Sequence, residues 1–243
     1  MDLLEPRIPV PVHDAIRDKA SVTSIVSLVL IHGVATRDSD GRSLLHFAAA
    51  CGRADVIGAL SASADGSAPA PILPLLDALD DGGMTPLQSA VAAGHVAAAR
   101  ALLSAGARVD ARSSAGRTAL HYTKGRTEVL ALLLPACRDR DVSPSDDLGH
   151  TPLHRAAAQG HLPAVSALVA AGASLDAVDK TGRTPLHAAC EEAREDVATA
   201  LIAAGASAEA VDRDNATPLE LFQEKRARDR LVAAVKALHP HLR

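Results

Sequence analysis

One four-residue phrase returns at a fixed interval. Thr85-Pro86-Leu87-Gln88, Thr118-Ala119-Leu120-His121, Thr151-Pro152-Leu153-His154, Thr184-Pro185-Leu186-His187 and Thr217-Pro218-Leu219-Glu220 begin 33 residues apart each time. A constant period of this length means that each copy is one supersecondary unit, stable only when stacked on its neighbours. The phrase also says how the unit starts. Thr supplies a hydroxyl to cap a helix, and Pro takes the first helical position, where its missing N–H costs nothing. Five and two residues earlier stand Asp38 and Gly41, Asp80 and Gly83, Asp146 and Gly149, Asp179 and Gly182, the makings of a tight turn. Gly52, Gly94 and Gly160 fall nine residues after the phrase begins, and Gly106, Gly172 and Gly205 twenty-one after, as terminators of a first and a second helix. Runs such as Ala156-Ala157-Ala158 allow helices to approach closely.

The same frame reaches back to Ser43-Leu44-Leu45-His46 and to Val10-Pro11-Val12-His13. Seven units result, starting near residues 10, 43, 85, 118, 151, 184 and 217, with atypical end units as caps. The interval from Ser43 to Thr85 is nine residues too long, and the excess falls in Ser61–Pro74, rich in Ala, Ser, Gly and Pro, which reads as a flexible loop. The unit at Thr118 has Gly125 two residues early and carries Pro135, Cys137 and Pro144 where its late glycine would be. A 33-residue period bearing Thr-Pro-Leu-His resembles the ankyrin repeat. The expected fold is an all-α solenoid of seven helix pairs with short β-turn fingers. It forms one domain over 10–238, with tails at 1–9 and 239–243.

Composition narrows the function. A net charge of −4 disfavours a general nucleic-acid binder. The apolar run Ile25–Ile31 is too short to span a membrane, and Met1-Asp2-Leu3-Leu4-Glu5 lacks a basic secretory start. Three scattered cysteines, Cys51, Cys137 and Cys190, fit reduced thiols in the cytoplasm or nucleus. With only Phe47, Phe222 and Tyr122 aromatic, an interface must lean on charge and small apolar groups.

The recurring His46, His121, His154 and His187 invite a metal reading. Successive copies on stacked units lie about 10 Å apart, the spacing of packed helices, against about 2 Å for ligation. They are better read as bonding turn backbone between adjacent units. His150 and His154 are separated by a helix start and share no helical face. Neither Cys51 nor Cys137 lies in a recognisable Cys–His context, Gly82-Gly83 is a turn, and Asp80-Asp81, Asp146-Asp147 and Glu191-Glu192 read as solvated faces. No enzyme, cofactor or metal site is expected.

In a stacked array the fingers and first helices present a concave face. The residues just before each Thr and four, seven and eight after it would line that face. These are Asp40, Arg42, Phe47, Met84, Ser89, Arg117, Tyr122, His150, Arg155, Gln159, Arg183, Glu191 and Glu192. Lys124 and Arg126 of the shortened unit and Asp212 and Asp214 of the last finger join them. Arg42, Arg117, Lys124 and Arg126 make the first half basic, while Glu191, Glu192, Asp212 and Asp214 tilt the second half acidic. Such polarity would orient a protein partner of opposite pattern.

Three stretches carry a more particular likeness. Ala35-Thr36-Arg37-Asp38-Ser39-Asp40-Gly41-Arg42-Ser43, His154-Arg155-Ala156-Ala157-Ala158-Gln159-Gly160-His161-Leu162 and Cys190-Glu191-Glu192-Ala193-Arg194-Glu195 resemble the second, fifth and sixth units of the gankyrin family. The resemblance implies a monomeric assembly chaperone that holds the C-terminal domain of an ATPase subunit of the proteasome regulatory particle. Asp40, Arg42, Lys124, Arg126, Arg155, Glu191 and Glu192 would be its contact positions. An inhibitor or adaptor that masks a kinase or a transcription factor is the alternative.

Overall fold

Thr85, Thr151 and Thr184 each cap an α-helix, and the fourth residue of the phrase completes the cap. The Thr151 hydroxyl accepts the His154 N–H while the Thr151 N–H donates to His154 Nδ1 at 3.1 Å. Thr184 with His187 and Thr85 with Gln88 repeat the exchange, so two orphan donors are satisfied reciprocally. Pro86, Pro152 and Pro185 occupy the first turn of their helices.

The computed structural model describes residues 15–25, 37–61, 73–137 and 141–238. The frame copy at Val10, both tails and nearly all of the Ser61–Pro74 insertion lie outside these. The chain divides into two compact units, one ending at Tyr122 and the other beginning at Thr123.

In the first unit, residues 15–17 and 22–25 are helical and bury Ile16 and Ile25. A finger closed by an isolated antiparallel bridge between Arg37 and Ser43 precedes α1 (Leu44–Ala50) and α2 (Ala54–Ser61). A 3-10 turn at Leu73–Leu75 leads to α3 (Pro86–Ala93) and α4 (Val96–Ser104), and a second 3-10 turn at Ala119–Tyr122 ends the unit. First helix packs on first helix and second on second, α1 against α3 and α2 against α4. Leu45, Ala49, Leu87, Ala90, Ala98 and Leu102, all fully enclosed or nearly so, form the core. The alanines at these contacts are what permits such short helices to stack closely.

The second unit opens with α5 (Thr127–Leu133), which runs into a 3-10 turn at Leu134–Ala136. Then come α6 (Pro152–Ala158) with α7 (Leu162–Ala170), and α8 (Pro185–Glu191) with α9 (Glu195–Ala203). A 3-10 turn at Pro218–Leu221 precedes α10 (Lys225–Leu238). The last helix closes the unit over α9, burying Ala227 and Leu231 and pairing Arg230 with Glu195. No β-strand forms among the described residues.

Two repeats depart from the expected pair of α-helices. In the repeat at Thr118 the first helix shrinks to the 3-10 turn Ala119–Tyr122, because Lys124 and Gly125 turn the backbone left-handed early, at φ of 48° and 75°. In the repeat at Thr217 it shrinks to Pro218–Leu221. There Phe222 turns extended and drives its ring into the core.

The left-handed residue after the first helix is glycine in three repeats, with φ of 72° at Gly52, 85° at Gly94 and 74° at Gly160. The sixth repeat places Ala193 there at φ 54°. A Cβ in this conformation costs about 1–2 kcal/mol, part of which a glycine forfeits through its freer unfolded chain. Ala193→Gly is therefore expected to stabilise the protein by roughly 0.5–1 kcal/mol, a rise of about 2 °C in a thermal melt. An unchanged or lower midpoint would count against strain at this position.

Candidate protein-binding surface

The fingers are rigid because a side chain closes each of them. One carboxylate oxygen of Asp38 accepts the N–H of Asp40 and of Arg42, at 2.9 and 2.8 Å. Asp146, Asp179 and Asp212 do the same two and four residues on. In the fourth finger the Ser113 hydroxyl takes the role, accepting from Ala115 and Arg117. Within each unit, neighbouring fingers are joined by a backbone bond. Asp81 N donates to Asp40 O, Ser114 N to Gly83 O, Lys180 N to Leu148 O and Arg213 N to Thr181 O.

The repeated histidines couple one repeat to the next. His46 Nε2 bonds Met84 O at 2.8 Å, His154 Nε2 bonds Arg183 O at 2.9 Å and His187 Nε2 bonds Ala216 O at 3.2 Å. With Nδ1 accepting a backbone N–H, the proton lies on Nε2 and the ring is neutral. Burial, the dominant effect at each, pushes all three below the ordinary imidazole value. Gln88 reproduces the geometry with its amide, donating to Ala111 O and Arg117 O at 3.0 and 2.8 Å.

In the first unit, Asp40, Arg42 and Phe47 form one cluster. Arg42 Nε donates to Asp38 Oδ2 at 2.8 Å, its Nη2 lies 2.9 Å from Asp40 Oδ2, and its guanidinium stands 5.6 Å from the Phe47 ring centroid. The basic half expected from sequence is thus offset at Arg42 by two carboxylates of its own finger. Burial alone would raise the Asp38 pKa. The Arg42 backbone and side-chain hydrogen bonds overcome this and hold the carboxyl below its usual range. Met84 and Arg117 are half-buried and give their carbonyls to His46 and Gln88. Tyr122 reaches Ser113 Oγ at 3.4 Å.

The second unit gathers six of the expected residues. His150, Arg155, Gln159, Arg183, Glu191 and Glu192 line a cleft of about 250 Å³ between the fifth and sixth repeats, with His154, Ala158, Asp179 and Ala188 completing its wall. Arg183 is the hub. Its Nη1 donates to both oxygens of Glu191 at 2.8 and 2.7 Å, and its Nε to Asp212 Oδ2 at 3.3 Å. His150 lies 3.4 Å from Asp179 and 3.8 Å from Asp146, with its ring centroid 5.9 Å from that of His154. Glu192 is exposed at the mouth and has no ion-pair partner among the described residues. Lys124 is exposed on its left-handed backbone, and Arg126 stands at the N-cap position of α5.

Asp212 needs a correction. It is 5 % exposed and is consumed by its own turn and by Arg183, so it does not face a partner. The Ala216 N–H, the largest influence, lowers its carboxyl pKa against the opposing effect of burial. Asp214 remains exposed at the fingertip.

Cys190 is buried, and that burial pushes its thiol up to about 12, so it is no nucleophile. Burial also raises Cys51. Among the described residues no three His, Cys, Asp or Glu side chains are placed to hold a metal, and no helix is long and apolar enough to cross a membrane.

Two groups with structural reach were not singled out in the sequence. Arg53 is buried and ties the N-terminal residues down, and Arg37 bridges two fingers. Arg37 was findable, since the position before the turn residue recurs in every finger and holds arginine again at Arg112. Arg53 holds the place ten residues into its repeat that His95, His161 and Arg194 hold in theirs, and Arg194 likewise donates back, to Ala158 O.

Helix pairs, finger turns closed by a buried acid and histidines that bridge repeats define a repeat scaffold. The family model of ankyrin repeats (3 copies) matches residues 72–146 and 124–214, more than half of the chain. The protein belongs to the ankyrin-repeat family. Among solved structures it resembles the ankyrin repeat domain of Bcl-3, a member of the IκB protein family. The TM-score is 0.74 over 93 % of this chain and 99 % of that one, at 24 % identity, a likeness of fold alone. No curated protein matches the sequence.

Proposed function

We propose that this chain is a protein-binding scaffold, and more finely an assembly chaperone whose partner is the C-terminal domain of a proteasomal ATPase. It would act in the cytoplasm and nucleus, covering the face on which that subunit docks during regulatory-particle assembly. The scaffold reading is supported by the ankyrin family and by a cleft whose wall carries charged side chains of both signs. The finer reading rests on the gankyrin-like residues of the fifth and sixth repeats. Arg155, Gln159, Glu191 and Glu192, which carry that likeness, all line this one cleft. The observation that carries most weight is Glu192, an exposed carboxylate at the mouth with its charge uncommitted. It is available to a basic group of a partner, where Glu191 is already held by Arg183.

Affinity purification from the native cell followed by mass spectrometry tests it. Recovery of base ATPase subunits is the expected result. Recovery of a kinase or a transcription factor instead would install the inhibitor reading, and recovery of no protein would sink both. With a partner in hand, Glu192→Lys should weaken binding by about fivefold to tenfold, close to 1 kcal/mol or slightly more, with a steep salt dependence. Arg100→Glu, exposed on α4, is the control and should change little. Arg42→Glu is a poor probe, because it would set a carboxylate against Asp38 and Asp40, which the guanidinium pairs.

A further inference from the structure

In three repeats an arginine stands directly before the repeated phrase, at Arg42, Arg117 and Arg183. The residue five further on is Phe47, Tyr122 and Ala188 respectively. The second repeat shows what the pairing of arginine and ring builds. Two carboxylates hold Arg42 by its edge, Asp38 at Nε and Asp40 at Nη2, and its central carbon lies 5.6 Å from the Phe47 ring centroid. The sixth repeat builds the same edge, with Asp212 at Nε of Arg183 and Glu191 at its Nη1. The ring is missing, because Ala188 of α8 offers only a methyl group where Phe47 stands in α1. The cleft between the fifth and sixth repeats opens at this place, with Arg183 and Ala188 in its wall. None of the chain's three aromatic side chains, Phe47, Tyr122 and Phe222, lines it.

We propose that this cleft receives an aromatic side chain of the partner, which lies over Arg183 as Phe47 lies over Arg42. The edge of Arg183 is already met by two carboxylates, so what it offers a newcomer is its planar face, and guanidinium faces stack on aromatic rings. The rim of such a ring is its positive part, and Glu191 and Glu192 stand in the same wall to face it. Ala158 and Ala188, both half-buried, leave the space between α6 and α8 small-walled and apolar. Room is sufficient, since the cleft measures about 250 Å³ and a cavity of about 150 Å³ takes up benzene. A lysine or arginine in the same place would set a second cation against Arg183. This assignment rests on the reading of the chain as a protein-binding scaffold and adds a ring to the basic group that Glu192 takes.

The test uses the full chain and two probes, N-acetyl-tyrosine amide and N-acetyl-leucine amide, titrated at millimolar concentration and followed by heteronuclear NMR. The tyrosine probe is expected to move the Arg183 Nε–H signal upfield by its ring current. It should bind at least about fivefold more tightly than the leucine probe, the worth of one cation–ring contact. Ala188→Phe supplies the ring from within, as in the second repeat. It should weaken the tyrosine probe by at least about tenfold without lowering the thermal midpoint. Phe47→Ala does the converse and should create a second site, read at the Arg42 Nε–H, which the wild type lacks. This gain of a site decides the matter should A188F fail to fold. Ala203→Phe adds a ring on the exposed end of α9 and should change nothing at Arg183. Equal affinity for the two probes, an Arg183 signal that does not move, or an F47A chain that gains no site would overturn the assignment. In the native-cell purification, an A188F bait that retains the partner undiminished overturns the aromatic site while leaving the scaffold standing. A wild-type bait that retains no protein overturns the scaffold reading itself, which the probe titrations do not depend on.

Discussion

Acidification from pH 7.5 to 5.5 is expected to destabilise this protein. The cause is three buried histidines, His46, His154 and His187, each held neutral between repeats with Nδ1 accepting and Nε2 donating. Burial lowers their pKa values in the fold. The unfolded chain takes up protons below an ordinary value of about 6.5 while the folded chain does not. Their contribution is therefore complete above pH 6.5 and is lost as pH falls, each histidine adding at most about 1.4 kcal/mol per pH unit. The finger carboxylates Asp38, Asp179 and Asp212 have lowered values and matter only further down, below about pH 4. Gln88 supplies the control, because it makes the same bonds without a titrating group. Denaturant melts of a H46Q/H154Q/H187Q variant should show a markedly shallower fall in stability between pH 7.5 and 5.5 than the parent. An equally steep fall in that variant would place the acid sensitivity elsewhere.

Arg53→Met is expected to cost about 2–3 kcal/mol and to release the N-terminal residues of the first unit. Arg53 is 8 % exposed, and its guanidinium caps two carbonyls, Ile16 O at 3.2 Å and Ala20 O at 3.0 Å. Asp55 holds it in place from the other side at 2.8–2.9 Å. Methionine keeps the stem and removes the donors, so two carbonyls lose their partners. Asp55→Asn should cost under about 1 kcal/mol, since that carboxylate is half exposed and its pair with arginine is largely screened. Hydrogen exchange is the discriminating measurement. Amides in residues 15–25 should exchange faster in R53M while those of α3 and α4 do not. Uniform acceleration would mean that Arg53 serves the whole unit rather than its first residues.

Much of the architecture was legible because the information is local. A Thr, a Pro and a His within four residues specify a cap, a first turn and a bond to the next repeat, whatever lies further away. Ser113 and Asn215, at turn positions where other fingers carry Asp and Gly, could have been found by the same frame. The candidate site was less legible. Arg42, Arg183 and Asp212 all read as surface charge, yet they are bonded to Asp38 and Asp40, to Glu191 and Asp212, and to a turn backbone.

The sequence by itself determined the period, the helix starts, the turns and the structural use of the histidines, since each follows from residues within one 33-residue frame and its nearest neighbour. Only the tertiary structure decided which charges are spent and which are free. It showed Glu191 committed and Glu192 open, Arg42 covered by a ring and Arg183 left without one. It also decided where the frame yields, reducing two first helices to 3-10 turns. The physical reason is that a helix cap is settled by the few residues around it. The fate of an exposed charge or a carbonyl depends on what the next repeat brings within about 3 Å of it, and a one-dimensional period does not encode that distance.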